Sequence, residues 1–172
     1  MKMDNQFIPT ILDIEASGFG KGSYPIEVGL AMPDSALHCY LIKPQPDWHH
    51  WDLDAESMHH ISRDTLERFG RDVNFVARQL NNYLQGSTVY SDAWSNDSVW
   101  LARLFEESNT LQDFRIEHLV MVTSEEQLAI WDTTKQQVID ECGYERHRAS
   151  SDARIIQTTW LRTLAVSQAA AM

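Results

Sequence analysis

A chain of 172 residues with 43% hydrophobic content is long enough for one domain with a real core and has an ordinary globular composition. Its 25 acidic against 14 basic residues leave a net charge of −11, which argues against gripping long duplex DNA through many Lys and Arg contacts to phosphate; it permits an enzyme that holds a short strand end, or a charge excess that merely keeps the chain soluble. No apolar run reaches the roughly 20 residues of a membrane span, Met1–Gln6 lacks the apolar region of a signal peptide, and Cys39 and Cys142 show neither metal spacing nor a dense disulfide framework, which predicts a reduced, cytoplasmic protein with two buried thiols.

The apolar run Phe7 to Leu12 predicts a buried strand ending in Asp13 and Glu15, and Gly18 and Gly20 predict a turn after it. Tyr24 to Met32 predicts a second strand, with Ile26, Val28 and Leu30 alternating against Glu27 and Gly29. Leu37 to Ile42 predicts a third, so the chain opens as a meander, and Pro44 and Pro46 stop it. Asp54 predicts the cap of a short helix running to His59-His60-Ile61. Asp72 to Gln85 is an amphipathic helix with Val73, Val76, Ala77, Leu80, Tyr83 and Leu84 at helical spacing.

Thr88 to Ser91 then reads as a short strand parallel to the first. A helix follows from about Asn96 to Glu107, with Val99, Trp100, Leu101, Leu104 and Phe105 as its apolar side, and Phe114 to Leu119 is the last strand. Ser124 to Gln127 is a capping box opening a helix that carries Leu128, Trp131, Val138 and Cys142. A final helix runs from about Ser151 to Val166, and 169–172 form a frayed tail. With no repeat and no linker, the order predicts a single domain over 1–172, core about 7–166, built as a mixed α/β sheet with helices on its faces.

Side chains alternate along a strand, so Asp13 and Glu15 project from one face. Paired carboxylates resist desolvation unless a cation sits between them, and hard oxygen ligands suit Mg²⁺ or Mn²⁺; a solvated strand edge is the plain alternative. Further acids sit at structural ends: Asp92 and Asp97 after the fourth strand, and Asp152 at the last helix, five residues after His147. Ligands of an open α/β sheet gather at the carboxyl ends of its parallel strands, so four carboxylates and a histidine from three distant segments could meet at one mouth. The pairs His49-His50 and His59-His60 invite a zinc reading, discounted because adjacent histidines point apart and no Cys accompanies them.

Asp13-x-Glu15, Asp97 and His147-x-Ala149-x-x-Asp152, in that order, resemble the three motifs of the DEDD family of 3′–5′ exonucleases, histidine subtype, a family that includes the proofreading subunit of bacterial DNA polymerase, ribonuclease T and oligoribonuclease. Met58-His59-His60-Ile61 and Ser23 to Gly29 resemble further family segments, and the likeness runs from Asp13 to about Leu164. One departure is that the family's middle motif places His-Asn shortly before its aspartate, where this chain has Asp92-Ala93. Asp97 is preferred as the middle ligand because Val99-Trp100-Leu101 follow it, with Asp92 left as a substrate-contacting group or the alternative ligand.

The resemblance implies a ribonuclease H-like fold, a mixed five-stranded sheet flanked by helices, and two-metal hydrolysis of phosphodiesters from the 3′ end of single-stranded DNA or RNA, releasing nucleoside 5′-monophosphates. It places Asp13 and Asp152 on one ion with Glu15 assisting, Asp13 with Asp97 around the other, and His147 as general base. Ala16, Ser17, Gly18 and Phe19 are expected to touch the terminal nucleotide, with His60 and Asp92 nearby; Phe19 reads equally as a core aromatic. Trp94, Trp48 and Trp51 are candidate stacking surfaces, whereas Trp131 and Trp160 fit helix core faces. The expected partner is a single-stranded 3′ end, bound by a free-standing enzyme; no protein partner is signalled, and a homodimer stays open. The alternative function is a catalytically silent module of the same fold that binds nucleic-acid ends.

Overall fold

Five strands form one mixed sheet in the order β3-β2-β1-β4-β5. They are β1 (Ile11–Ala16), β2 (Pro25–Ala31), β3 (Leu37–Leu41), β4 (Thr88–Ser91) and β5 (Arg115–His118). The computed structural model describes residues 7–170; Met1–Gln6, and Ala171 and Met172 of the expected tail, lie outside the described residues. The first three strands form the expected antiparallel meander, and β4 and β5 run parallel to β1. The parallel pairs need crossovers, which the helices supply.

The first strand lies further along than the sequence predicts. β1 pairs with β2 from Ile11↔Ala31 to Glu15↔Glu27, so Asp13 and Glu15 lie within it. Partners set its limits rather than local hydrophobicity: Phe7, outside the strand and half exposed, packs edge-on against Tyr90 and Trp160. Alternation then sorts β1 between two cores. Leu12, Ile14 and Ala16 enter the larger one, with Tyr24, Trp48, Leu80, Trp100 and Leu104. Ile11 enters the smaller, with Ala31, Leu119, Ala153, Ile156 and Trp160. Asp13 and Glu15 share the face of Ile11, toward the last helix.

The helices are α1 (Leu53–His59), α2 (Arg63–Phe69), α3 (Val73–Leu84), α4 (Trp94–Glu107), α5 (Glu125–Ala129), α6 (Trp131–Cys142) and α7 (Ala149–Ala170), with a 3₁₀ turn at Leu119–Val122. The cap of α1 is Asp52, not Asp54: the Asp52 carboxylate accepts from the Asp54 N–H at 2.9 Å. α2 escaped sequence reading; its seven residues follow the cap Ser62, whose hydroxyl accepts from the Thr65 N–H. Val99 on α4 is 63% exposed, outside the apolar side expected for it. The helix predicted from the Ser124 capping box breaks at Ile130 into α5 and α6, although the box itself forms.

α7 begins two residues before its predicted start and stays helical through Ala169 and Ala170. Its buried Gln157 amide donates to the carbonyls of Pro9, Ala31 and Met32 at 2.9–3.1 Å, which ties the helix across the strand ends. Neither thiol is buried: Cys39 is exposed and Cys142 half-buried. Among the described residues, no helix is long and apolar enough to cross a membrane.

Candidate active site

Three chain segments meet where β1 faces the start of α7. Glu15, His147 and Asp152 each present a potential ligand atom within 4.8 Å of the other two. Beside them opens a cleft of about 190 Å³ lined by Asp13, Glu15, Phe19, Asp97, Trp100 and His147, among others. A smaller adjoining chamber is lined by Asp13, Asp92, Lys135, Arg146 and Asp152. Asp13 borders both spaces, so the four predicted carboxylates and His147 are gathered around β1.

Local structure fixes each of these groups. Asp97 lies in the first turn of α4, nearly fully buried, and accepts a short hydrogen bond from the Ser91 hydroxyl at the end of β4. A carboxylate there also complements the helix N-terminus. Asp152 accepts from the His147 backbone N–H at 3.0 Å with one oxygen, and from Arg146 Nε at 3.0 Å with the other. His147 has φ 59°, in the left-handed region that a non-glycine residue enters only at some cost. The neighbouring hydrogen bonds hold it there.

Electrostatics mark the same place. Burial, reinforced by the charges of Asp97, Glu15, Asp152 and Asp92, holds the Asp13 carboxyl well above its usual range. Burial, then Asp152 and Glu27, push Glu15 up to about 7, against the pull of Arg148 and Arg146. Burial raises Asp97 to about 7 despite the Ser91 hydrogen bond. Three acids so perturbed in one cleft are a physical sign of a functional site. Their hard, mutually repelling oxygens fit a divalent cation such as Mg²⁺ or Mn²⁺, which would relieve the repulsion.

The remaining predicted contacts divide. Ala16, Gly18 and Phe19 line the cleft. Phe19 is 69% exposed with its ring 5.9 Å from that of Trp100, so it belongs to the rim rather than the core. Ser17 is buried and supports the loop from behind: its hydroxyl accepts from the Tyr24 N–H and meets His50 Nδ1 at 2.9 Å. His60, expected near the nucleotide, does not line the cleft, whereas its neighbour His59 does. His60 is exposed and ends α1 in a left-handed conformation, while His59 is buried in the cleft wall. His59 Nδ1 accepts from the Ile61 N–H, leaving Nε2 to carry the proton of the neutral ring, and that buried nitrogen lacks a hydrogen-bond partner of good geometry among the described residues.

Asp92 forms an ion pair with Lys135 of α6 at 2.8 Å, in the side chamber rather than the main cleft. Trp94 is 39% exposed but does not line the cleft; its indole N–H donates to the Ile116 carbonyl on the edge strand β5. Trp48 is no stacking surface: it is fully buried and stacks on Tyr24, ring centroids 4.9 Å apart. Trp51 is half-buried, its indole N–H bound to Glu56. Trp160 is buried as expected and Trp131 packs at the edge of the same core. Sequence reading missed Glu27, the residue opposite Glu15, which is fully buried and grips Arg148. Its only sequence signal was its place within the apolar second strand, where it reads as the polar half of an alternation.

The chain matches no protein-family model and no curated protein sequence. Solved structures do resemble it. Exonuclease I of E. coli in complex with a dT13 oligonucleotide superposes with a TM-score of 0.68 at 11% identity, over 92% of this chain and 41% of that one. The same enzyme with a dA16 oligonucleotide gives 0.68 at 12% identity, over 92% and 41%. The zinc ion-bound form of the exonuclease I–ssDNA complex gives 0.67 at 14%, over the same 92% and 41%. The chain spans about two-fifths of the exonuclease I chains it matches. At such identity the likeness is one of fold: a ribonuclease H-like α/β fold, with a mixed five-stranded sheet flanked by helices.

Proposed function

We propose that this protein is a metal-dependent 3′–5′ exonuclease acting on single-stranded nucleic acid and releasing nucleoside 5′-monophosphates. The observation that carries the reading is the gathering of Asp13, Glu15, Asp97, Asp152 and His147 from three separate segments around one cleft. The single-stranded DNA complexes of the similarly folded exonuclease I add support.

Asp13, Glu15 and Asp152 would hold one divalent cation, and Asp13 with Asp97 a second. Bound there, two such ions neutralise the phosphodiester, orient the attacking water and stabilise the departing oxygen. The chain's own groups do the rest. The wall of Ala16, Gly18, Phe19 and His59 seats the terminal nucleoside, with the exposed Phe19 ring offered to the base. His147 accepts the proton of the attacking water as oxygen bonds to phosphorus. The P–O3′ bond breaks, and the terminal nucleotide leaves as a 5′-monophosphate.

The test is a digestion panel of 3′-labelled single-stranded and duplex DNA and RNA, with and without Mn²⁺, run beside Asp13→Asn. Mn²⁺-dependent monophosphate release by the parent and none by the variant is the expected result. Tight single-strand binding with no hydrolysis under any condition would reassign the protein to the silent binding module.

A further inference from the structure

β2 presents Glu27, Gly29 and Ala31 to α7 on the face that Asp13 and Glu15 share, because residues paired directly across antiparallel strands project from one side. At Gly29 the fit is closest. A Cβ there would overlap the backbone of Ala149 and Ser150, so α7 begins directly against the strand. Two residues earlier, the fully buried Glu27 carboxylate receives Arg148 Nε at 3.1 and 3.2 Å, Arg148 Nη2 at 2.6 Å and the Ala149 N–H at 2.8 Å. Both its oxygens are used, and none of these bonds goes to the cleft.

Arg148 directly follows His147, whose left-handed backbone is otherwise held by Asp152. The loop bearing the candidate base is therefore fastened on both sides. Arg148 pulls it toward Glu27, and the Asp152 carboxylate holds the His147 N–H. The guanidinium also lies close enough to lower the pKa of Glu15, opposing its repulsion from Glu27. A lysine could supply the charge but not the planar fork.

We propose that Glu27 and Arg148 form a positioning pair that fixes His147 and the start of α7 over Asp13 and Glu15, acting through geometry and touching neither substrate nor metal. The inference rests on the exonuclease reading for its kinetic consequence, but its structural part is measurable without it.

The experiment compares the parent with Glu27→Gln/Arg148→Met, made together so that no lone charge is left buried, and with Arg148→Lys. Circular dichroism and melting establish folding. Deuterium exchange reads the amides from 147 to 153, and kcat and KM are measured on a 3′-labelled single-stranded oligonucleotide with Mn²⁺. Both variants are expected to fold, to exchange these amides about tenfold faster or more, and to lose kcat by roughly 10–100-fold with KM within about threefold.

A folded double variant with parental exchange or parental kcat overturns the proposal, as does Arg148→Lys at parental kcat. Should the double variant fail to fold, Arg148→Lys decides alone. Should the parent release no nucleotides, the exonuclease reading falls instead and the exchange measurement judges the pair: unchanged rates refute it, faster rates support it.

Discussion

Glu15 and Glu27 stand directly opposite one another on the paired strands β1 and β2, yet they have different partners. Glu27 is sealed in the protein and matched by Arg148 at 2.6 Å; Glu15 faces the cleft, and burial with the charges of Asp152 and Glu27 drives its pKa to about 7. One carboxylate is finished structurally and the other is left in want of a cation. The same contrast separates Asp92, paired with Lys135, from Asp13, which stands among Asp97, Glu15 and Asp152.

Asp13→Asn replaces the most crowded carboxyl in the cleft. Activity is expected to fall by roughly 10³-fold or more. The metal-free protein, freed of repulsion, should gain about 1 kcal/mol, a rise of roughly 2–4 °C in melting temperature. Scanning calorimetry in EDTA checks the second half; a variant less stable than the parent would show that Asp13 bears load in the fold.

The raised acids set a pH dependence of stability. Glu15 and Asp97 bind protons more tightly folded, at about 7, than unfolded, at their usual values of 4.5 and 3.8. Between those limits the folded state holds more protons, so stability falls as pH rises through the window. In EDTA, the melting temperature should be a few degrees higher at about pH 5 than at about pH 8, and Mn²⁺ should raise it much more at the higher pH. A flat profile in EDTA would contradict the shifts.

The two middle aspartates are expected to differ. Asp97→Asn should abolish hydrolysis, because this buried carboxylate at the head of α4 faces Asp13. Asp92→Asn breaks a partly buried ion pair with Lys135 outside the main cleft and should cost less than about tenfold in kcat. Single-turnover rates of the two variants decide; loss in Asp92→Asn alone reverses the assignment.

Phe19→Ala probes the rim. An exposed ring against Trp100 contributes little to folding, while a base stacked on it gains roughly 1–3 kcal/mol. KM should rise about tenfold with melting temperature unchanged. The opposite pattern, unchanged KM and a lowered melting temperature, would make the ring part of the core.

Much of the site was legible because it is written in local spacing. The i, i+2 carboxylates of β1 share a face whatever sheet they join, and the acids after β4 and before α7 sit at element ends where ligands collect. Errors arose where tertiary partners decide. β1 is bounded by its pairing with β2, not by the hydrophobic run that includes Phe7. Trp48 lost its assigned role to Tyr24, which lies far away in sequence. The His59-His60 pair was resolved by the left-handed turn at His60, which sends one ring inward and the other to solvent. Glu27 read as the polar half of an alternating strand, yet helices cover both faces of this sheet and β2 is buried throughout.

Because the carboxylates sit on the first strand, on a helix in mid-chain and on the last helix, nothing short of complete docking brings them together. A partly refolded chain therefore lacks the assembled cluster of carboxylates. On the exonuclease reading, turnover after dilution from denaturant is expected to recover no earlier than ellipticity, because the last of these carboxylates is carried by α7.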